Sequence, residues 1–171
     1  MVELERREDE RGFFARTFDA DEFRARGLEP SVAQCNLSWN RLKGTLRGMH
    51  YQTEEAPEAK YIRCTSGAVH DVIIDLRPAS PSYLKHVAVE LTAENRRALF
   101  VPPLCAHGYL TLTDGAEVAY QVGAFYTPGA EAGVRYDDPI FKLEWPVPVQ
   151  VISAKDAAWP AFTPERRGKA R

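Results

Sequence analysis

Two short runs, Leu46-Arg47-Gly48-Met49-His50-Tyr51-Gln52 and Lys60-Tyr61-Ile62-Arg63-Cys64, place an imidazole, an ammonium and a guanidinium on neighbouring segments rich in β-branched and aromatic residues. Side chains alternate between faces along a strand, so Lys60 shares a face with Ile62 and Cys64 rather than with solvent. An ammonium among apolar neighbours is costly unless an anion, or a negative charge that develops during a reaction, makes use of it. A base beside such a cation suits removal of a proton from carbon, with the cation holding the enolate oxygen.

Other groups fit that chemistry with varying force. Gly48 is placed to supply a bulge that re-aims Arg47 beside His50. His107 follows the Pro102-Pro103 turn within Cys105-Ala106-His107-Gly108-Tyr109. A single strand histidine is more often a half-buried residue satisfied by a carbonyl than a reacting group. Two histidines with Lys60 and Tyr120 in one small β domain point instead to a site. Tyr120 shares a face with Val118 and Val122, as a core tyrosine with a bonded hydroxyl would. A general acid is the other reading, because a phenol can give a proton and regain it from solvent. Asp156, in Ser153-Ala154-Lys155-Asp156, either caps the segment after it or orients a histidine. His70 alternates with Val72 and Ile74 and is expected to point inward without a partner, whereas His86 shares a face with Glu90 and reads as solvated. There is no H-x-H pair or other ligand-like spacing, which predicts no metal site.

The elements that must position these groups are short strands. Ser31–Leu37, Thr45–Tyr51, Lys60–Thr65, Ala68–Leu76, Tyr83–Leu91, Ala98–Val101, Ala106–Leu112 and Ala116–Phe125 alternate or are apolar throughout, with Gly, Pro, Ser and Asp turns between them. One helical pattern is visible, capped by Asp19, running from Ala20 to Arg26 and ended by Gly27. Strands at this spacing without intervening helices predict an all-β sandwich or barrel of jelly-roll type.

The totals agree with one domain over residues 1–171, with a polar tail from Thr163 to Arg171 expected to fray. A net charge of -2 gives no electrostatic reason to expect nucleic acid or an anionic membrane as partner. No apolar run is long enough to span a bilayer, and the charged first segment, MVELERREDERG, lacks the apolar core of a secretion signal. Cys35, Cys64 and Cys105 lie far apart with no CxxC pair, which reads as buried free thiols in a cytoplasmic protein.

Arg11-Gly12-Phe13-Phe14, Gln34-Cys35-Asn36, LRGMHYQ, Lys60, AENRR, PPLCAHGY, the Tyr120 strand, YDDP and SAKD occur in this order from about Glu10 to Trp159. Each is weak alone, but the ordered series resembles the dTDP-4-dehydrorhamnose 3,5-epimerase family. The resemblance implies a cupin-type jelly-roll homodimer acting on a nucleotide-diphosphate-linked 4-keto-6-deoxy sugar, without metal or cofactor. It implies that His50 is the base and Asp156 its partner, that Lys60 stabilises the enolate, and that Tyr120 is the acid on the opposite sugar face. It further implies that Arg47, His107 and Tyr126 line the same site. Arg11, Phe14, Gln34 and Asn36 would help hold the nucleotide, the first two reaching in from the partner subunit.

The chain departs from the family pattern at four points. Arg16 stands where an acidic residue helps to read the base, which predicts weaker discrimination in favour of dTDP, since a guanidinium offers only donors. Gln121 replaces a usual lysine and His70 a usual aromatic residue, and few residues precede Arg11, which predicts a missing or shortened first strand. The neighbouring readings are a mono-epimerase at C3 or C5, on a GDP- or CDP-linked sugar, and a non-catalytic sugar-binding jelly roll. The latter explains an aromatic and basic lining but not base, acid and Lys60 together.

Overall fold

Alternating apolar and polar side chains, cut by Gly, Pro and Asp turns, make strands the dominant regular element of this chain. The computed structural model describes residues 1–164, so the expected tail lies outside the described residues apart from its first two. Its strands are β1 (Arg7–Asp9), β2 (Gly12–Phe14), β3 (Gln34–Asn40), β4 (Thr45–Gln52), β5 (Lys60–Ser66), β6 (Ala68–Asp75), β7 (His86–Thr92), β8 (Ala98–Val101), β9 (Cys105–Thr111), β10 (Ala116–Val122), β11 (Glu131–Gly133) and β12 (Val151–Ile152). Two short helices, α1 (Ala20–Ala25) and α2 (Ala154–Ala157), complete the described elements, and neither is long enough to cross a membrane.

Strands β3, β10, β5 and β8, in that order, form one antiparallel sheet; β11, β4, β9, β6 and β7 form the facing one. The free edge of β4 is shared by β11, which pairs antiparallel with His50–Gln52, and β12, which pairs parallel with Thr45 and Leu46. This is the all-β, cupin-type jelly roll expected. Between the sheets Ile62, Cys64, Val69, Leu91, Leu99, Val101 and Val118 form the main core. Each such fully buried aliphatic side chain contributes about 1.5–3 kcal/mol. Behind the six-stranded sheet, Met49, Val72 and Ile74 are covered by Val134, Phe141 and Trp145 from the C-terminal segment. Behind the four-stranded sheet, Phe23 of α1 packs on Tyr61, with Phe18 and Phe100 beside it.

The eight expected strands correspond to β3 through β10. Strand β7 starts later than expected because Tyr83–Lys85 form a turn in which the Leu84 N–H donates to the Asp75 carbonyl at 2.8 Å. Strand β10 stops at Val122, and Phe125 beyond it is exposed. Cys64 and Cys105 are buried as expected, but Cys35 is exposed, because it lies on the outward face of edge strand β3 with Leu37 and Trp39. The hairpin β1–β2 and elements β11, β12 and α2 are too short to show a period in the sequence.

Candidate active site

A pocket of about 370 Å³ opens between the two sheets. Arg47, His50 and His107 line it from β4 and β9 of the six-stranded sheet. Lys60 and Tyr120 line it from β5 and β10 of the four-stranded sheet, with Ile62 and Val118 between them. Asp156 enters from α2.

A break in register along β4 puts two of these side chains where they are. Arg47 lies opposite Tyr109 and His50 opposite His107, with an irregularity between them. In an unbroken strand, residues three apart face opposite ways. The irregularity lets both line the pocket while Met49 turns into the core behind. Gly48 has φ +138°, and a Cβ there would sit 2.5 Å from the Gly108 Cα, so the two strands cross where neither has a side chain.

His50 Nε2 donates to Asp156 Oδ1 at 2.7 Å, and the Gly48 N–H donates to Asp156 Oδ2 at 3.2 Å. Burial pushes the Asp156 carboxyl up, but the hydrogen bond and charge of His50 and the Gly48 N–H outweigh it and hold the group below its ordinary value. The cap of α2 is Ser153, whose Oγ accepts from the Asp156 N–H at 3.0 Å. Asp156 therefore does not cap the following segment; its carboxylate faces the histidine. The Trp159 and His50 rings meet in a T-shaped contact, and Trp159 also fills the space over Gly133, where a Cβ would come within 2.3 Å of it. Gly133 is the β11 partner of His50.

His107 has a carboxylate of its own. Its Nε2 donates to Asp71 at 2.9 Å, and Asp71 is fully buried. Arg47 Nε donates to Asn40 Oδ1 at 2.7 Å; Asn40 in turn donates to the Tyr109 hydroxyl and the Ala116 carbonyl. Burial pushes the Tyr109 phenol up from its ordinary value. Lys60, with 16 % of its side chain exposed, forms an ion pair with Glu58. Among the described residues no three His, Cys, Asp or Glu side chains converge to hold a metal ion.

The structure thus gathers His50, Asp156, Lys60, Tyr120, Arg47 and His107 around one pocket. Gln34 and Asn36 lie on the same face of β3 as the pocket residue Ser38, and Asn36 is the cross-strand neighbour of Tyr120. Tyr126, largely exposed, donates its backbone N–H to Gln34 Oε1 at 3.1 Å, outside the pocket lining. Arg11 and Phe14 do not reach the pocket of their own chain: Arg11 is paired with Asp9 on the hairpin, and Phe14 is exposed. Arg16 is bonded to Asp19 and lines a separate groove beside α1. His70 points inward, but into the core behind the six-stranded sheet, against Trp145.

Sequence reasoning missed Asp71, Asn40 and Trp159. Asp71 had a usable signal, since it shares a strand face with Val69 and Ile73, and a carboxylate on a core-facing position requires a partner. Asn40 and Trp159 reach the site only through the register of β3 with β10 and the path of the C-terminal segment.

Comparison with known proteins gives a consistent picture. Residues 1–164 match the family model described as dTDP-4-dehydrorhamnose 3,5-epimerase. The dTDP-4-dehydrorhamnose 3,5-epimerase of Shigella flexneri is 42% identical over 149 residues, covering 86% of this chain and 82% of that one. The Bacillus anthracis enzyme of the same name, solved with TDP and PPi bound, superposes with a TM-score of 0.89 at 34% identity, covering 94% of this chain and 91% of that one. The Legionella pneumophila dTDP-6-deoxy-D-glucose-3,5-epimerase, in complex with dTDP-4-keto-L-rhamnose, superposes with a TM-score of 0.87 at 34% identity, covering 99% and 92%.

Proposed function

This chain belongs to the dTDP-4-dehydrorhamnose 3,5-epimerase family, and from that premise we propose that it inverts C3 and C5 of a dTDP-linked 4-keto-6-deoxy sugar. The observation that carries the reading is the origin of the reacting groups. A base paired to a carboxylate stands on one wall of the pocket, and a phenol with an ammonium stands on the facing wall.

A C–H beside a ketone is a poor acid until its enolate is stabilised. His50, whose Nε2–H is held by Asp156, keeps the Nδ1 lone pair to take the proton; Asp156 then balances the imidazolium. Lys60 stabilises the enolate oxygen at C4, assisted by His107. For His107 to donate to that oxygen both of its ring nitrogens must carry protons, and the buried Asp71 carboxylate balances that charge. Tyr120 returns a proton from the other side of the ring, which inverts the carbon, and solvent restores both groups. Arg47 helps hold the substrate from the same pocket. Gln34, Asn36 and Tyr126 extend its rim toward the nucleotide.

The exposed hairpin carrying Arg11 and Phe14 fits a homodimer in which each chain supplies these two residues to its partner's nucleotide site. The reaction site itself is complete within one chain, and a cytoplasmic location fits a sugar-nucleotide substrate.

Incubation with dTDP-4-keto-6-deoxy-D-glucose in deuterated water tests the proposal. Proton NMR is expected to show deuterium at both C3 and C5. Deuterium at only one carbon would make this a mono-epimerase, and none at either would leave a sugar-binding module.

A further inference from the structure

Lys60 is paired with a second charged side chain that lies outside the pocket lining. Glu58 precedes it by two residues, in the segment just ahead of β5, and its Oε1 lies 3.4 Å from the Lys60 Nζ. Only 16 % of the Lys60 side chain and 8 % of that of Glu58 is exposed, so solvent screens the pair little. The other titratable groups that line the pocket with Lys60 are Arg47, His50, His107, Tyr109, Tyr120 and Asp156. The other carboxylates nearby are already used: Asp156 holds His50, Asp71 holds His107, and Glu29, which shares a shallow groove with Lys60, accepts from the Ser31 N–H at 2.9 Å. Glu131 of β11 faces Glu58 as a like charge, but it is bound to Lys155 at 2.5 Å. Glu58 therefore stands as the dedicated counter-charge of the ammonium.

We propose that Glu58 is a positioning residue for the epimerisation, which keeps the Lys60 ammonium protonated and aimed while the substrate oxygen is still neutral. The inference rests on the reading of Lys60 as the enolate stabiliser. A lysine amine in apolar surroundings gives up its proton more readily when no anion faces it, and a neutral amine cannot stabilise an oxyanion. The chain places a carboxylate where it opposes that loss without occupying the ammonium's remaining donors. As the enolate forms, Lys60 gains a second anion, and the two share its three N–H donors. Burial pushes the Glu58 carboxyl up from its ordinary value, and the ammonium beside it offsets part of that rise.

Charge and size can be separated by two variants. Glu58→Gln keeps length and packing but loses the charge, whereas Glu58→Asp keeps the charge and shortens the side chain. The measurement is the pH profile of solvent deuterium exchange into the substrate, with kcat and KM separated and folding verified by circular dichroism. In Glu58→Gln the alkaline limb of kcat is expected to move down by about one to two pH units, with KM changed less than twofold. Glu58→Asp is expected to keep the limb near its wild-type position. If both variants follow the wild-type profile, or if Asp is impaired and Gln is not, Glu58 serves packing alone and the proposal is overturned. A limb set by Tyr120 alone would likewise stay in place in Glu58→Gln. Lys60→Met marks the premise: it is expected to abolish exchange at all pH values, and if it exchanges like wild type, the role of Lys60 fails and this proposal with it. Loss of exchange in Lys60→Met beside an unmoved limb in Glu58→Gln overturns the Glu58 inference alone.

Discussion

Both oxygens of the Asp156 carboxylate are engaged on β4: one accepts from His50 Nε2 at 2.7 Å and the other from the Gly48 N–H at 3.2 Å. The same carboxylate thus fixes the imidazole and the irregular stretch of strand that carries it, tying the base to the backbone break that aims it.

Asp156→Asn is expected to lower kcat by about 10²–10⁴-fold, with dTDP affinity by calorimetry changed less than twofold, because the carboxylate acts through His50. A pH signature accompanies it. The folded carboxyl lies below its ordinary value, so its stabilising effect is present above the unfolded value and is lost as pH falls through the folded one. Thermal unfolding below about pH 4 should therefore cost the wild type more stability, relative to neutral pH, than it costs the asparagine variant. Unchanged turnover would reduce Asp156 to a structural role.

Tyr120→Phe separates proton removal from inversion. His50 and Lys60 still form the enolate, but the wall from which the second proton comes has lost its donor. Deuterium exchange with retention should outlast net epimerisation by at least tenfold. Equal loss of both would mean that Tyr120 positions the sugar rather than protonating it.

How much of this was legible in the sequence depended on length of pattern. Strands β3 to β10 are mostly seven or eight residues and announce themselves by alternation and turn residues. His50, Lys60, Tyr120 and His107 sit on those strands, so their convergence followed from a jelly roll. Asp156 is on a four-residue helix brought in by two residues of β12, and neither element is long enough to carry a period. Asp156 was nonetheless a candidate, whereas Asn40 and Trp159 were hidden because their roles depend on tertiary register and chain path, not on local spacing. Cys35 was misread as buried because an edge strand can face an apolar row outward, and Leu37 and Trp39 do so here.

Gly133 is the contact through which Trp159 reaches His50. A Cβ at that position would stand 2.3 Å from the Trp159 ring. Gly133→Ala should displace the ring, cost about 1–3 kcal/mol of stability as overpacking does, and lower kcat. Wild-type melting temperature and wild-type turnover together would show that the ring moves aside freely and does not orient the base.

Both pocket histidines are committed to carboxylates, and no third ligand meets either pair among the described residues. Exhaustive chelation followed by dialysis is therefore expected to leave full activity. Activity lost to the chelator and restored by one divalent ion would contradict the metal-free account.

The most direct test is His50→Ala, assayed for deuterium exchange into the keto sugar in deuterated water. With His107 bound to Asp71 and no second base assigned in the pocket among the described residues, exchange at C3 and at C5 should fall together by about 10²–10⁴-fold, while the variant folds and binds dTDP as wild type does. Exchange at either carbon near the wild-type rate would show that another group removes that proton, and would contradict the account of the site.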